Sequence, residues 1–326
     1  LSDRRVFIKD PDAEPVFGRP PYRRSVEELL DFGVVVVDKP MGPTSHQVSA
    51  WVREILHAKR TGHAGTLDPR VTGVLPVGVN RATKIINYVH REPKEYVAVM
   101  RLHGDVDEER IRSVMGEFVG LIYQVPPVRS AVARRLRKRR VYEIEILEIE
   151  GRDVLFRVRV ESGTYIRTLC VDIGEALCVG AHMSDLRRTA TGVFSEEHAC
   201  TLQDLLDAYV FWVEDGDEEE IRRCIYPPEF MFSSFPRIYV KDSAVDAIAH
   251  GAPVYATGVA RLTEGIEKGT LVAVFTLSGE LVGLGRAMLS TEEILRATSG
   301  AVCSMERVTM EPGAYPPLWK RAVQKG

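Results

Sequence analysis

The residue best placed to do chemistry is Asp68, in the stretch GHAGTLDP. An ionised carboxylate can attack an electrophilic carbon or take a proton, and either task needs it held beside its target. Its neighbours suit that task. Pro69 biases Asp68 towards extended backbone, and Gly62 and Gly65 let the main chain approach a ligand closely. Gly, Asp and Pro are also the common residues of turns, so taken alone the stretch specifies only a turn. Nucleotide-loop chemistry is excluded, because the chain has neither G-x-x-x-x-G-K-S/T nor G-x-G-x-x-G between a strand and a helix. A metal-dependent hydrolase using His63 and Asp68 would have a thin site of two ligands five residues apart. Cys170, Cys178, Cys200, Cys224 and Cys303 contain no C-x-x-C pair, and their odd number argues against a disulfide framework, so zinc is not expected.

Charge is the second feature. The formal net charge of −3 hides an asymmetry: Ala50 to Arg140 holds 18 Lys and Arg against 9 Asp and Glu, a local +9. The remaining residues therefore carry −12, partly in WVEDGDEEE from Trp212 to Glu220. A patch, not a total, attracts a polyanion. The densest patch ends QVPPVRSAVARRLRKRR, where six of seven residues are cationic: Arg134, Arg135, Arg137, Lys138, Arg139 and Arg140. Such a run reads as a solvated, mobile loop able to bind RNA.

These residues need elements to position them. GVVVVDKP reads as a buried strand ending at Pro40, and TSHQVSAWVREILH as a helix capped by Thr44 or Ser45, with Val48, Trp51, Val52 and Ile55 on its inner face. VTGVLPVGV and YVAVMRL suit strands, and DEERIRSVMGEF suits a helix behind Asp107 as cap. VYEIEILEI and VLFRVRV alternate like the arms of an antiparallel hairpin, and LCVDIGEALC should be a short helix. Past the turn-rich YPPEFMFSSFPR a second domain is expected, with a helix in KDSAVDAIAHG ending at Gly251, strands in LVAVFTL and ELVGLG, and a capping box from Ser290 to Glu293. The first ~20 residues, with four prolines by Pro21, read as an extended arm.

The order VVVDKPMGPTSH, GHAGTLDPRVTGVLPVGVNRATK, KEYVAVMRLHGD, SGTYIRTL resembles the TruB-type pseudouridine synthases from about Glu27 to Thr201. The tail from Pro236 is similar to a PUA domain, and with the arm the whole is most similar to the archaeal dyskerin branch, the catalytic subunits of box H/ACA guide particles. The resemblance implies an α+β fold: a mixed, largely antiparallel sheet carrying the catalytic site, plus a small β-rich PUA pseudo-barrel. It implies an arm at 1–25 packing on the PUA domain, a catalytic domain at 26–235 with a basic thumb loop at about 124–141, and a PUA domain with tail at 236–326.

It further implies that Asp68 is the catalytic aspartate, attacking C1′ of the ribose or removing a proton from C2′, with no cofactor. Arg167 would pair with Asp68, and such a cation favours the ionised carboxylate. Tyr96 would stack on the base and help remove the C5 proton. Tyr165 and Leu186 would pack around the flipped base, and His63 would enter the space it leaves. The six cations would grip RNA, although Ala133 stands where the family has a lysine, and Gly251 and Ala252 would meet RNA in the PUA domain. Lys39 and Pro40 belong to a family motif near the cleft with a mainly structural role. The implied partners are a guide RNA, substrate rRNA or tRNA, two small H/ACA core proteins and a kink-turn-binding protein. Guide-free modification of the tRNA T-loop and a non-catalytic RNA scaffold are the competing readings. No apolar run approaches the ~20 residues of a membrane span, and LSDRRVFIKD lacks a secretory core, so a cytoplasmic protein is expected, or a nucleolar one if eukaryotic.

Overall fold

Val34, Val35, Val36 and Val37 lie fully buried in one strand, β2 (Phe32–Lys39), because four β-branched residues in a row need cover on both faces. The computed structural model describes residues 4–125 and 135–318 of the chain. It divides into two units, residues 35–225 and residues 1–34 with 226–326. The break in packing thus falls ten residues before Pro236, where composition changes.

In the unit of residues 35–225, β2 is followed by α2 (Ser45–Ile55), β3 (Thr61–His63), β4 (Thr72–Asn80), β5 (Lys94–Leu102), α3 (Glu108–Glu117) and β6 (Gly120–Gln124). After the undescribed residues come β7 (Arg137–Glu150), β8 (Asp153–Val160), α4 (Ile166–Ala176), β9 (Ala181–Thr191), β10 (Phe194–Ser195), α5 (Leu202–Asp215), α6 (Glu219–Cys224) and β11 (Ile225–Tyr226). Neighbours in the sheet run β2-β4-β9-β5-β8-β7-β6. β4 and β9 are parallel, whereas β9-β5, β5-β8, β8-β7 and β7-β6 are antiparallel. α4 packs on this sheet, and Leu169 and Ile173 join Leu67, Met100, Phe156 and Leu186 in one core. At Gly73, with φ of +103°, a Cβ would stand 2.1 Å from the Arg188 carbonyl oxygen, so only glycine lets β4 reach β9 there.

Several local expectations change. Trp51 is 40% exposed, so the buried face of α2 is narrower than its spacing suggests and rests on Val48 and Val52. Asp107 occupies the cap position of α3 but makes no capping hydrogen bond. α4 begins at Ile166, earlier than its apolar pattern indicates, which puts Arg167 in its first turn. The basic segment is not a loop from Arg137 onward: Arg137, Lys138, Arg139 and Arg140 open β7 and pair with Gln124, Tyr123, Ile122 and Leu121 of β6. Long aliphatic stems let charged residues occupy a strand while their heads reach water. Arg134, like Ala133, lies outside the described residues.

The other unit carries β1 (Val6–Ile8), α1 (Val26–Asp31), β12 (Arg237–Val240), α7 (Asp242–Ala249), β13 (Val254–Tyr255), β14 (Val259–Thr263), β15 (Leu271–Thr276), β16 (Leu281–Ala287), α8 (Thr291–Arg296) and β17 (Ala301–Val308). Its sheet runs β1-β14-β12-β15-β16-β17-β13, and the arm strand β1 is antiparallel to β14. Ser290 and Glu293 form the capping box of α8. Beyond the last turn of α7, Gly251 has φ of +96°, and the amides of Gly251 and Ala252 donate to the carbonyls of Ile248 and Ala247 at 2.8 and 3.1 Å.

Candidate active site

The loop between β3 and β4 carries Asp68, and it is held from both sides by side chains aimed at its backbone. Lys39, the last residue of β2, is fully buried. Its Nζ donates to the carbonyls of Pro40, Pro69 and Val71 at 2.9, 3.2 and 2.8 Å. Burial pushes the Lys39 ammonium below its ordinary pKa, and the negative charge of Asp68 opposes that shift. Thr44 caps α2 with a full capping box, which directs Ser45 into the loop. Ser45 Oγ accepts from the Leu67 amide at 2.8 Å and donates to the Leu67 carbonyl at 3.1 Å. Within the loop, the Gly42 amide donates to Pro69 at 2.8 Å and the Val71 amide to Asp68 at 3.0 Å.

The opposite support is Arg188 of β9, which is 1% exposed. Its guanidinium donates to the carbonyls of Val74 at 2.8 Å and Gly65 at 3.1 Å. With the loop main chain satisfied this way, the Asp68 carboxylate is free to face solvent. There the Arg167 guanidinium, at the start of α4, donates to it at 2.5 Å, and the two side chains are 54% and 45% exposed. They share a cleft of about 1060 Å³, walled by Met41, Arg70, Val71, Met183 and Leu186. An acid paired to a guanidinium beside an apolar wall can bind a planar base and act on the sugar attached to it.

Asp68, Arg167 and Leu186 therefore come together at one cleft. Tyr96 stands on the neighbouring strand, opposite Arg188 in register, packed against the core cluster that includes Leu67 and Leu186. Tyr165 occupies the N-cap position of α4, where its amide and carbonyl bond the Gln124 side chain at 3.0 and 3.1 Å. His63 ends β3 and meets His46 edge to face, ring centroids 4.7 Å apart. Burial, then His46, Arg188 and His90, lower its pKa to about 4, and its Nδ1 is buried without a hydrogen-bond partner. Tyr96, His63 and Tyr165 are not among the residues that wall the Asp68 cleft. Among the described residues, no group of three or more His, Cys, Asp or Glu is placed to hold a metal ion.

Sequence reading missed Arg188, Lys94 and His90, which surround the back of the loop. Lys94 Nζ donates to the carbonyls of Val89, His90 and Glu92 and to Ser162 Oγ. Burial, with Arg188 adding to it, lowers its pKa to about 7. A signal for Arg188 exists in the alternation of β9: of two successive arginines, one must face inward. Arg187 faces outward to Asp38 and Glu196, so Arg188 takes the inner place.

A mixed sheet presenting an acid and an arginine at one cleft, in a chain that also carries a second β-rich unit, defines an enzyme of the pseudouridine synthase fold. Residues 53–108 and 103–166 match the TruB family pseudouridylate synthase N-terminal domain, 167–233 the tRNA pseudouridylate synthase B C-terminal domain, 236–309 the PUA domain and 5–49 the DKCLD (NUC011) domain. The chain is 58% identical over 323 residues to the probable tRNA pseudouridine synthase B of Methanocaldococcus jannaschii, covering 98% of this chain and 96% of that one. It superposes on the crystal structure of a Cbf5-Nop10-Gar1 complex with a TM-score of 0.92 and 54% identity over 96% of both chains. A structure of an H/ACA RNP bound to a substrate RNA containing 2′-deoxyuridine gives a TM-score of 0.92 and 52% identity, over 97% of this chain and 98% of that one. The chain belongs to the TruB family of pseudouridine synthases, in its archaeal, dyskerin-like branch with a C-terminal PUA domain. It is an RNA pseudouridine synthase. Among the described residues no helix is long and apolar enough to cross a membrane.

Proposed function

We propose that this enzyme modifies rRNA uridines chosen by a box H/ACA guide RNA, in a particle with two small core proteins and a kink-turn-binding protein. The observation that carries this reading is end-to-end likeness to the proteins of a Cbf5-Nop10-Gar1 complex and of a substrate-bound H/ACA RNP, over 96% or more of each chain. In this reading residues 26–235 form the catalytic domain, and residues 236–326 the RNA-binding domain and tail, with the arm at 1–25 packed on it. The names of curated relatives favour a second reading, in which the same site modifies tRNA without a guide.

In either case the uridine must leave its stack, at a cost of a few kcal/mol that contacts elsewhere have to offset. Asp68 then attacks C1′ or removes the C2′ proton, and both routes detach uracil so that it rejoins through C5. Arg167 pairs with the carboxylate and aims it. Tyr96 stacks on the base, a contact worth ~1–3 kcal/mol, and takes the C5 proton. Leu186 and Tyr165 flank the base, and His63 fills the space it vacates. Arg134, Arg135, Arg137, Lys138, Arg139 and Arg140 hold the RNA backbone, and Gly251 and Ala252 meet RNA at the end of α7. No cofactor enters, because the reaction moves a bond and a proton within one nucleoside.

The test is tritium release from RNA labelled at uracil C5. It is run with protein alone on unmodified tRNA, and with guide RNA and partners on a guide-matched target. Release only with guide and partners supports the first reading, release from tRNA by protein alone supports the second, and no release in either arm overturns both.

A further inference from the structure

We infer that Arg188 is a positioning residue for the reaction, the buried counter-ion that lets Tyr96 take the C5 proton of the rearranged uracil. This rests on the reading of the Asp68 cleft as the site of pseudouridine formation.

A buried guanidinium stays charged and is ordinarily matched by a carboxylate. Arg188 is not. Its Nε and one terminal nitrogen go to the carbonyls of Val74 and Gly65, and among the described residues no carboxylate hydrogen-bonds or ion-pairs with it. The group that can answer its charge is Tyr96, directly across the β5-β9 ladder, whose hydroxyl favours the charged guanidinium. The field of this unmatched charge is visible in its surroundings. Lys39, His63, His90 and Lys94 are each pushed towards their neutral forms, by burial first, with Arg188 among the further causes.

The reaction needs an anion at Tyr96. Once uracil has rejoined C1′ through C5, that carbon carries both a hydrogen and the new glycosidic bond, and N1 is doubly bonded to C6. Tyr96, as phenolate, takes the C5 proton. The electron pair of the C–H bond becomes the C5–C6 double bond, the N1–C6 π pair moves onto N1, and N1 takes a proton from water. Tyr96 returns its proton to solvent, so the net change is a proton moved from C5 to N1. A free phenol is a poor base at neutral pH, and a fixed cation beside it supplies the activation. The two carbonyl bonds give the guanidinium a second task, fixing Gly65 of the Asp68 loop and Tyr96 relative to one another.

The test compares the parent with Arg188→Gln, Arg188→Lys and Tyr96→Phe in single turnover, on whichever RNA the parent modifies, with hydrogen or deuterium at C5 of the target. Arg188→Gln removes the charge but keeps a donor for a loop carbonyl. It is expected to slow turnover ~10²-fold or more, the usual worth of a positioned proton acceptor, and to raise the C5 isotope effect above that of the parent. Arg188→Lys, with the charge restored, should recover most of both. Equal slowing by Gln and Lys with an unchanged isotope effect means that Arg188 only holds the loop, and overturns the inference, as does no slowing at all. If Arg188→Gln does not fold, Arg188→Lys carries the test. Turnover within a few-fold of the parent at the parent's isotope effect supports a role for the charge, and a loss equal to that of Tyr96→Phe without a change in isotope effect overturns it. A parent that releases no C5 label refutes the functional reading, and the role of Arg188 falls with it, whereas failure of the inference alone leaves the parent releasing label.

Discussion

Asp68 and the cations of β7 belong to the same sheet-based unit, yet the chain behind them is built in opposite ways. Behind Asp68, Lys39, Ser45 and Arg188 reach in from three different elements and bond the loop backbone at Gly65, Leu67, Pro69 and Val71. The acid is exposed while almost everything that locates it is buried. Arg137 to Arg140 instead rest on the ladder to β6, the outermost strand of the sheet order. Arg139 adds a loose pairing with Glu161 at 3.9 Å. Chemistry needs a carboxylate fixed to within a fraction of an ångström, whereas attraction of a phosphate chain needs charge density and tolerates small displacements.

If that contrast is right, the largest effect belongs to Asp68 itself. Asp68→Asn keeps shape and removes the charge, so single-turnover pseudouridine formation should fall at least ~10³-fold, with RNA affinity retained in a filter-binding titration. The loop supports come next. Lys39→Met strips donors from the carbonyls of Pro40 and Val71, while Pro69 keeps the Gly42 amide. The buried Val71 acceptor left unsatisfied costs roughly 1–3 kcal/mol and the part-buried Pro40 acceptor less, offset in part by removal of a buried charge, so urea unfolding should read a net loss of about 1–2 kcal/mol. A loop shifted by about 1 Å should also lose ~10²-fold in turnover. A Lys39→Met enzyme with full activity would sever the link between loop support and catalysis. Ser45→Ala leaves one amide and one carbonyl of Leu67 without Oγ, and about 1–3 kcal/mol of stability should go with it.

The same contrast separates what is legible in the sequence from what is not. Local pattern is written in short stretches, so the capped helix after Thr44, the hairpin of β7 and β8 and the capping box at Ser290 were legible. Asp68 and Arg167 were legible through their motifs and do meet. Support from behind was not, because Lys39, Arg188 and the loop are joined only by the order of strands in the sheet. No periodicity in LRRT states that β9 lies beside both β4 and β5. The basic run was misread from 137 to 140 because charge density is a signal of solvation, whereas strand pairing there is decided by what β6 offers across the ladder.

A smaller effect tests the buried side of the loop through pH. The folded His63 has a pKa of about 4 against 6.5 when unfolded, and that of His90 is lowered too. Both are neutral in either state above pH 6.5, so they cost nothing there. As pH falls from 6.5 towards 4 the unfolded chain binds protons that the folded chain refuses, and stability declines. His63 is only about half buried, so after allowance for solvent screening its share is about 1–2 kcal/mol. Urea unfolding at pH 7 and pH 4.5 should read this decline, and His63→Phe should remove it in part. A decline identical in His63→Phe would place its source elsewhere. Lys94 acts in a separate window, with stability rising as pH climbs from about 7 towards 10.5.

The smallest single effects belong to the cations of β7. Arg137→Ala, Lys138→Ala and Arg140→Ala should each weaken RNA binding only a few-fold near physiological salt, since each removes one phosphate contact among many. The signature is the salt dependence. Every lost contact should lower the slope of log affinity against log salt by ~0.7 for single-stranded RNA, and the triple variant should add the three nearly independently. Arg139 is predicted to depart from that rule. Its side chain is mostly buried and its Nε lacks a partner, with Gly163 packed beside the guanidinium. Arg139→Ala should therefore disturb the hairpin as well as the charge, costing measurable stability where its neighbours cost little. A slope unmoved by all four substitutions would show that RNA is gripped elsewhere and that the ladder of β6 and β7 is only an edge.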